Sequence, residues 1–395
     1  MITLKQPTLS SHQNKARLNA EVDVDGVIQN VWFEVDAAYG SYLCYERCDA
    51  FLIGLLHWAM LHHHDIVCEA PVGEELLFQL RTCLIPALAR NSAALSLVNI
   101  QASLDSESLP NAGAVGTGIS CGVDSFHVVA TQANSPYPHL KLTHLALTNV
   151  GSHGVGEKGR RAFEEHTAFV EAFCNTHGFK LVLSDSNIAE VFPQNFLVTH
   201  TFAAMFAVYA LQKFWRVYFY ASAGTGISSF SLTNSEHFSS SRYDILSLQV
   251  FSTSSLKVYS AGSNETRIEK LRIVADYPPA HRFLNVCGRF PSCNTCRKCK
   301  RTLLELYAIG RLDDFKESFD VNYFKNHLSW YLIRFLSKYW QGDAYYVSIY
   351  PLLRDKISWP VWFAAAGQCG IHALIKRVKK SGLSRPMSRR ANEAK

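Results

Sequence analysis

Long apolar runs are what this sequence most lacks. Its two most apolar windows, AFLIGLLHWAML (50–61) and FAAMFAVYAL (202–211), fall short of the roughly 20 residues a membrane-spanning helix needs, and the first carries a histidine. Both are expected to be buried helices instead. Residues 1–20, MITLKQPTLSSHQNKARLNA, lack the apolar segment of a secretory signal. These two absences lead to the expectation of a soluble, cytoplasmic chain with no membrane partner. Charge is also sparse, at 18% against 48% hydrophobic residues, which is a globular composition with ample core material. There is no internal repeat. The net charge of +6 is mildly basic and suits an anionic small molecule such as a nucleotide. Much of that excess lies in the polar tail 376–395. The tail lacks interleaved aromatics, so nucleic acid is not the expected partner.

What is present divides into four stretches. Residues 1–110 read as an α+β N-terminal domain: a strand GVIQNVWFEVD after a turn, a long helix over 41–64, a short strand DIVCEA, an amphipathic helix over 74–90 and a strand over 95–104. Such a block would shape a substrate pocket or a homodimer contact. The stretch SLPNAGA (108–114) marks a boundary. Residues 111–285 alternate strands (AVGTGIS, LTHLALTNV, FKLVLSD, RVYFYASA, SLKVYSAG) with helices, and Gly178 is placed to stop one of them. That alternation predicts an α/β fold with a parallel sheet, helices on both faces and ligands beyond the carboxyl ends of the strands. Residues 286–375 read as a cysteine-rich segment and helical extension, and 376–395 as the basic tail.

Two motifs carry the chemistry. In GISCGVDSF, Ser120 ends a strand and Asp124 begins a helix. The amides at that helix N-terminus face an anion, Gly122 permits close backbone approach, and Ser120 and Ser125 add hydroxyls. The loop is neither a Walker A sequence nor the dinucleotide fingerprint. It resembles the S-G-G-x-D-S loop of the PP-loop ATP pyrophosphatases, with Ser120, Cys121, Gly122, Val123, Asp124 and Ser125 in register. Cys121 departs from the commoner glycine. The resemblance implies the HUP/PP-loop type of fold. It also implies that this loop holds the pyrophosphate end of ATP, with Mg²⁺, for cleavage between the α- and β-phosphates. Asn149 and Ser152, after the second strand, would face the nucleotide, and YASAGTG (220–226) would lie near the same crevice.

The second motif is CGRFPSCNTCRKC, with Cys287, Cys293, Cys296 and Cys299 spaced C-x5-C-x2-C-x2-C. In a reducing compartment four thiolates at this spacing indicate Zn²⁺, with an iron–sulfur cluster as the alternative. Together, loop and cysteines resemble the 7-cyano-7-deazaguanine synthases and their relatives over about residues 112–310. That resemblance implies an ATP-dependent C–N ligase. It would adenylate a substrate carboxylate or oxo group, release pyrophosphate and let a nitrogen nucleophile displace AMP. Asp124 would be catalytic, and Arg267 and Lys270 would reach substrate or α-phosphate. The extra N-terminal and C-terminal stretches depart from that family, so the reaction class carries over better than the substrate. Two rival readings are a non-catalytic nucleotide-binding partner in a defence or assembly complex, and a PP-loop RNA sulfur transferase using Cys121 and Cys174.

Overall fold

The computed structural model describes residues 1–222, 227–233 and 239–368. The glycines at the end of YASAGTG and the basic tail 376–395 lie outside the described residues. The chain forms two compact units, the first ending at Cys293 and the second beginning at Asn294.

The first unit opens with four strands that the sequence reading largely missed: β1 (Ile2–Leu4), β2 (Thr8–His12), β3 (Lys15–Val24) and β4 (Val27–Asp36). Only β4 was expected. In β3, Leu18, Ala20 and Val22 are buried while polar residues alternate with them, a period-2 signal diluted by charge. Asp25 and Gly26, at φ 51° and 90°, make the tight turn into β4. Helix α1 (Asp49–Leu61) starts later than expected, because Ala37–Tyr42 form a separate 3-10 turn. Next come β5 (Ile66–Cys68), β6 (Val72–Gly73) and α2 (Glu74–Gln79). A π-turn over Leu80–Leu84 then leads into α3 (Ile85–Asn91). Two short strands follow, β7 (Ile100–Gln101) and β8 (Leu104–Asp105).

The alternating region follows its expected pattern. It runs β9 (Ala114–Gly118), α4 (Val123–Gln132), β10 (His144–Asn149), α5 (Gly156–His177), β11 (Lys180–Ser186), α6 (Ile188–Val191) and α7 (Phe196–Ala210). It continues with β12 (Trp215–Ala221), α8 (Asp244–Val250), β13 (Lys257–Ala261), α9 (Arg267–Ala275) and α10 (Pro279–Phe283). Gly178 ends α5 at φ 73°, as its position predicted.

These strands build one mixed, mostly parallel sheet in the order β13-β12-β9-β10-β11-β4-β3-β1-β5-β7, with β2 paired to β3. The five strands β9 to β13 are mutually parallel, and the chain order reverses between β9 and β12. The N-terminal ribbon joins the same sheet, with β4 antiparallel to β11 at Ser184↔Val35. The two apolar windows become the buried pair α1 and α7. Phe206 packs edge-on against Phe33, with ring centres 5.7 Å apart, and against Phe51 at 5.6 Å. A Cβ at Gly116 would lie 2.3 Å from the Trp215 ring, so glycine is what lets β9 pass under it.

The second unit is helical among its described residues: α11 (Arg297–Ala308), α12 (Val321–Asn326), α13 (Leu328–Trp340), α14 (Ala344–Leu353) and a last stretch to residue 368. Leu303, Leu306, Phe315, Phe324, Phe335, Leu336, Ile349 and Leu353 fill its core. No helix among the described residues is long and apolar enough to cross a membrane.

Candidate functional site

Strand β9 carries residues 114–118 to the centre of the parallel sheet, and Ile119 extends the ladder by donating to the Ala146 carbonyl at 2.8 Å. The chain then reverses in three residues. Cys121 takes φ 56°, the left-handed region that a glycine enters freely and other residues enter at a cost of ~1 kcal/mol. The glycine of the resembled loop thus falls at the one residue whose backbone calls for it. Cys121 is fully buried, and its carbonyl accepts from the Asn285 N–H at 2.8 Å. Burial holds its thiol well above the ordinary cysteine range, and that of Cys174 at about 12, so neither is a ready nucleophile.

Helix α4 starts at Val123. Its first backbone bond runs from Phe126 N–H to Gly122 O at 2.9 Å, so the amides of residues 123–125 precede the helical ladder. The loop hydroxyls are turned inward. Ser120 Oγ and Ser125 Oγ lie 3.2 Å apart, Gly122 N–H donates to Ser120 Oγ at 3.3 Å, and Ser125 Oγ–H donates to Gly122 O at 3.1 Å.

Two predicted residues from distant parts of the sequence meet here. Lys270 Nζ donates to Asp124 Oδ1 at 3.1 Å and to the Ser222 carbonyl at 2.5 Å. Lys270 is 1% exposed and Asp124 32%. Helix α9 is held in place by a capping box: Thr266 Oγ1 accepts from Glu269 N–H at 3.4 Å, and Glu269 Oε2 accepts from Thr266 N–H at 2.7 Å. Glu269 is thus committed to the helix end. Arg267 opens the same helix, half-buried, three residues before Lys270.

Three neighbours escaped the sequence reading. Gly262, at φ 75°, closes the end of β13 onto α4; a Cβ there would lie 2.9 Å from both His127 Nδ1 and Lys270 Cε. His127 sits one helical turn beyond Asp124. It is 3% exposed, with Nε2 3.6 Å from Glu265, and burial lowers its pKa against the raising effect of that carboxylate. Asp244, at the start of α8, accepts from Ser222 Oγ at 3.1 Å, and burial raises its carboxyl to about 6. A strand-end glycine and a helix-first aspartate are the only sequence signals for two of these, and both are common in ordinary turns.

Asn149 ends β10. Its amide donates to Asp185 Oδ1 at 2.8 Å on the neighbouring strand, and its own buried Oδ1 has no hydrogen-bond partner among the described residues. Ser152 is exposed and connects to the loop by relay. Its Oγ is 3.0 Å from His153 Nδ1, His153 Nε2 is 2.8 Å from His166 Nδ1, and His166 Nε2 is 3.3 Å from the Ser120 carbonyl. A carbonyl only accepts, so His166 carries its proton on Nε2. His153 must then donate through Nε2 and Ser152 through its hydroxyl. Burial holds both imidazoles at about 4, neutral above mildly acidic pH.

The four predicted cysteines converge. The sulfurs of Cys287, Cys293, Cys296 and Cys299 all lie within 4.8 Å of one another, with Cys296 and Cys299 3.5 Å apart. A tetrahedral Zn²⁺ with bonds of about 2.3 Å would set sulfurs about 3.8 Å apart, so the donor set fits a metal ion after a small contraction. Cys293 N–H donates to Cys287 Sγ at 3.3 Å and Cys299 N–H to Cys296 Sγ at 3.5 Å.

Comparisons with protein-family models, with curated proteins and with solved structures find no match.

Proposed function

We propose that this chain is an ATP-dependent enzyme of the PP-loop type, with the helix-flanked parallel sheet of the HUP class. It activates a substrate carboxylate or oxo group by adenylation, releases pyrophosphate and passes the activated group to a nitrogen nucleophile. One observation carries this reading. The Ser120–Ser125 loop follows the strand at which the sheet order reverses, and the buried ammonium of Lys270 is fixed 3.1 Å from Asp124 at that loop. Open α/β sheets bind ligands at such a reversal, beyond the strand ends.

In this reading the amides of residues 122–125 and the hydroxyls of Ser120 and Ser125, turned outward, receive the pyrophosphate oxygens. Asp124 is the carboxylate for Mg²⁺, and Lys270 offsets charge accumulating on the leaving group. Arg267, at the head of α9, is assigned to the α-phosphate or substrate. Asn149 and Ser152 border the nucleoside end. The site thus works by position and charge rather than by a protein nucleophile. Zn²⁺ held by Cys287, Cys293, Cys296 and Cys299 would have all four positions filled by thiolate, and so would have a structural role.

The test is the fate of labelled phosphate. The enzyme is incubated with Mg²⁺, ATP labelled at the α-phosphate and a cell extract as the source of acceptor. Label is expected in AMP, and its appearance should require Asp124 and Ser120. Label in ADP would reject the mechanism. Tight ATP binding with no turnover in any extract would favour a non-catalytic nucleotide-binding protein.

A further inference from the structure

The second unit carries a surface that the ATP reading leaves unused. Residues 294–395 hold 19 of the 39 lysines and arginines but only 8 of the 33 acidic residues, so the rest of the chain is net acidic. The excess is organised among the described residues. On α13, Trp330 is 42% exposed, with Arg334 stacked over its ring at 4.9 Å and Lys300 of α11 also at 4.9 Å. On α14, Tyr345 is 45% exposed, with Arg301 at 4.3 Å and Arg297 at 5.9 Å from its ring centre. Arg297, Lys300 and Arg301 fall on one face of α11 by their spacing of three and four. The result is a strip of four cations and two rings, each ring flanked by two cations: Arg334, Trp330, Lys300, Arg301, Tyr345, Arg297. Among the described residues Asp343 lies 2.7 Å from Arg297 and the buried Glu305 3.5 Å from Arg301. The strip lies in a unit with 19 basic against 8 acidic residues.

We infer that this strip binds single-stranded RNA, with unpaired bases stacking on Trp330 and Tyr345 and flanking phosphates pairing with Arg297, Lys300 and Arg334. Exposed rings beside cations offer a π-face for each base and a charge for each phosphate. A duplex hides its base faces and would use only the cations. A second copy docked strip to strip would set like charges opposite one another. RNA loops and ends are where bases stand unpaired and accessible. The proposal is independent of the ATP site and rests on the second unit alone.

The experiment uses the full-length protein and a fluorescent, mixed-sequence RNA of about 12 nucleotides, within the usual site size for single-strand binders. Binding is expected with quenching of tryptophan fluorescence. Trp330→Ala and Tyr345→Ala should each weaken it about tenfold, in line with the loss of one base stack. Trp330→Phe, which keeps a ring, should stay close to the parent. Lys300→Ala should flatten the slope of log affinity against log salt by about 0.7, the share of one phosphate on a single strand. Photo-crosslinks should map to residues 297–301, 330–334 and 345. Circular dichroism of each variant confirms that it is folded. The proposal is overturned by equal affinity for duplex, by tighter binding to DNA of the same sequence, or by preference for phosphatidylserine vesicles or polyglutamate. Crosslinks confined to 376–395, or ring variants that bind like the parent, overturn it as well.

Discussion

Removing Asp124 and removing Lys270 should have unequal costs, and the inequality follows from which charge is stranded. Lys270 is 1% exposed, whereas Asp124 keeps 32% of its surface in water. In Asp124→Ala the ammonium stays buried with the Ser222 carbonyl as its remaining hydrogen-bond acceptor here, and Asp244 as the nearby carboxyl. Stranding a buried charge costs about 3–5 kcal/mol, and the presence of Asp244 argues for the lower end, about 3 kcal/mol. In Lys270→Met the Asp124 carboxylate rehydrates and methionine fills the channel of the lysine stem. What is lost is the ammonium's hydrogen bond to the Ser222 carbonyl, worth about 1.5–3 kcal/mol. In the double variant no ammonium is left to strand. Its cost should match Lys270→Met alone, apart from about 0.5 kcal/mol for the lost acidic residue in the first turn of α4. The assay is urea denaturation of all four proteins at neutral pH and low salt. The two single costs should overshoot the double by about 2–3 kcal/mol, a coupling expected only of residues in contact. Additivity within about 0.5 kcal/mol would refute the reasoning, as would Lys270→Met proving the costlier single change.

Two further outcomes are expected. Purified protein should carry one metal ion per chain by elemental analysis. Cys296→Ser should lower that content and destabilise the segment around 287–308, because metal binding and local folding are coupled. Full stability after complete metal removal would contradict this, and a brown protein containing iron would shift the site to a cluster. Stability should also fall as pH drops from about 6.5 through about 4. Burial holds His144, His153, His166 and His200 at about 4 in the folded chain, so within that window the unfolded chain binds more protons. Asp244, raised to about 6, and Asp49 and Asp185, also raised by burial, act in the opposite direction, but these three carboxyls are outnumbered by the four imidazoles. A flat stability profile between pH 7 and pH 4.5 would show that these imidazoles are hydrated.

The sequence by itself determined the local pieces. Strand AVGTGIS, the turn at 119–122 and helix α4 follow from small residues, glycine and an acidic first turn, all of which act within a few residues. The four cysteines were legible for the same reason: thirteen residues of chain suffice to bring Cys287, Cys293, Cys296 and Cys299 together. The apolar windows at 50–61 and 202–211 could be read as buried helices from composition, since nothing else covers so much apolar surface.

Tertiary structure decided the rest. The N-terminal ribbon joins the same sheet as β9 to β13 because β4 finds the free edge of β11, a pairing across about 150 residues that no local pattern encodes. Glu269 and Lys270 are neighbours in sequence, yet one closes a helix cap in solvent while the other is buried against Asp124. Only the docking of α9 on α4 separates them. His127 and Gly262 carry no local signal of their contact, yet a Cβ at Gly262 would fall 2.9 Å from His127 Nδ1, so the fold requires glycine there. Hydrophobic and turn signals act over a few residues. The charge pair at the loop is set by packing across 146 residues, and packing is where the sequence alone falls silent.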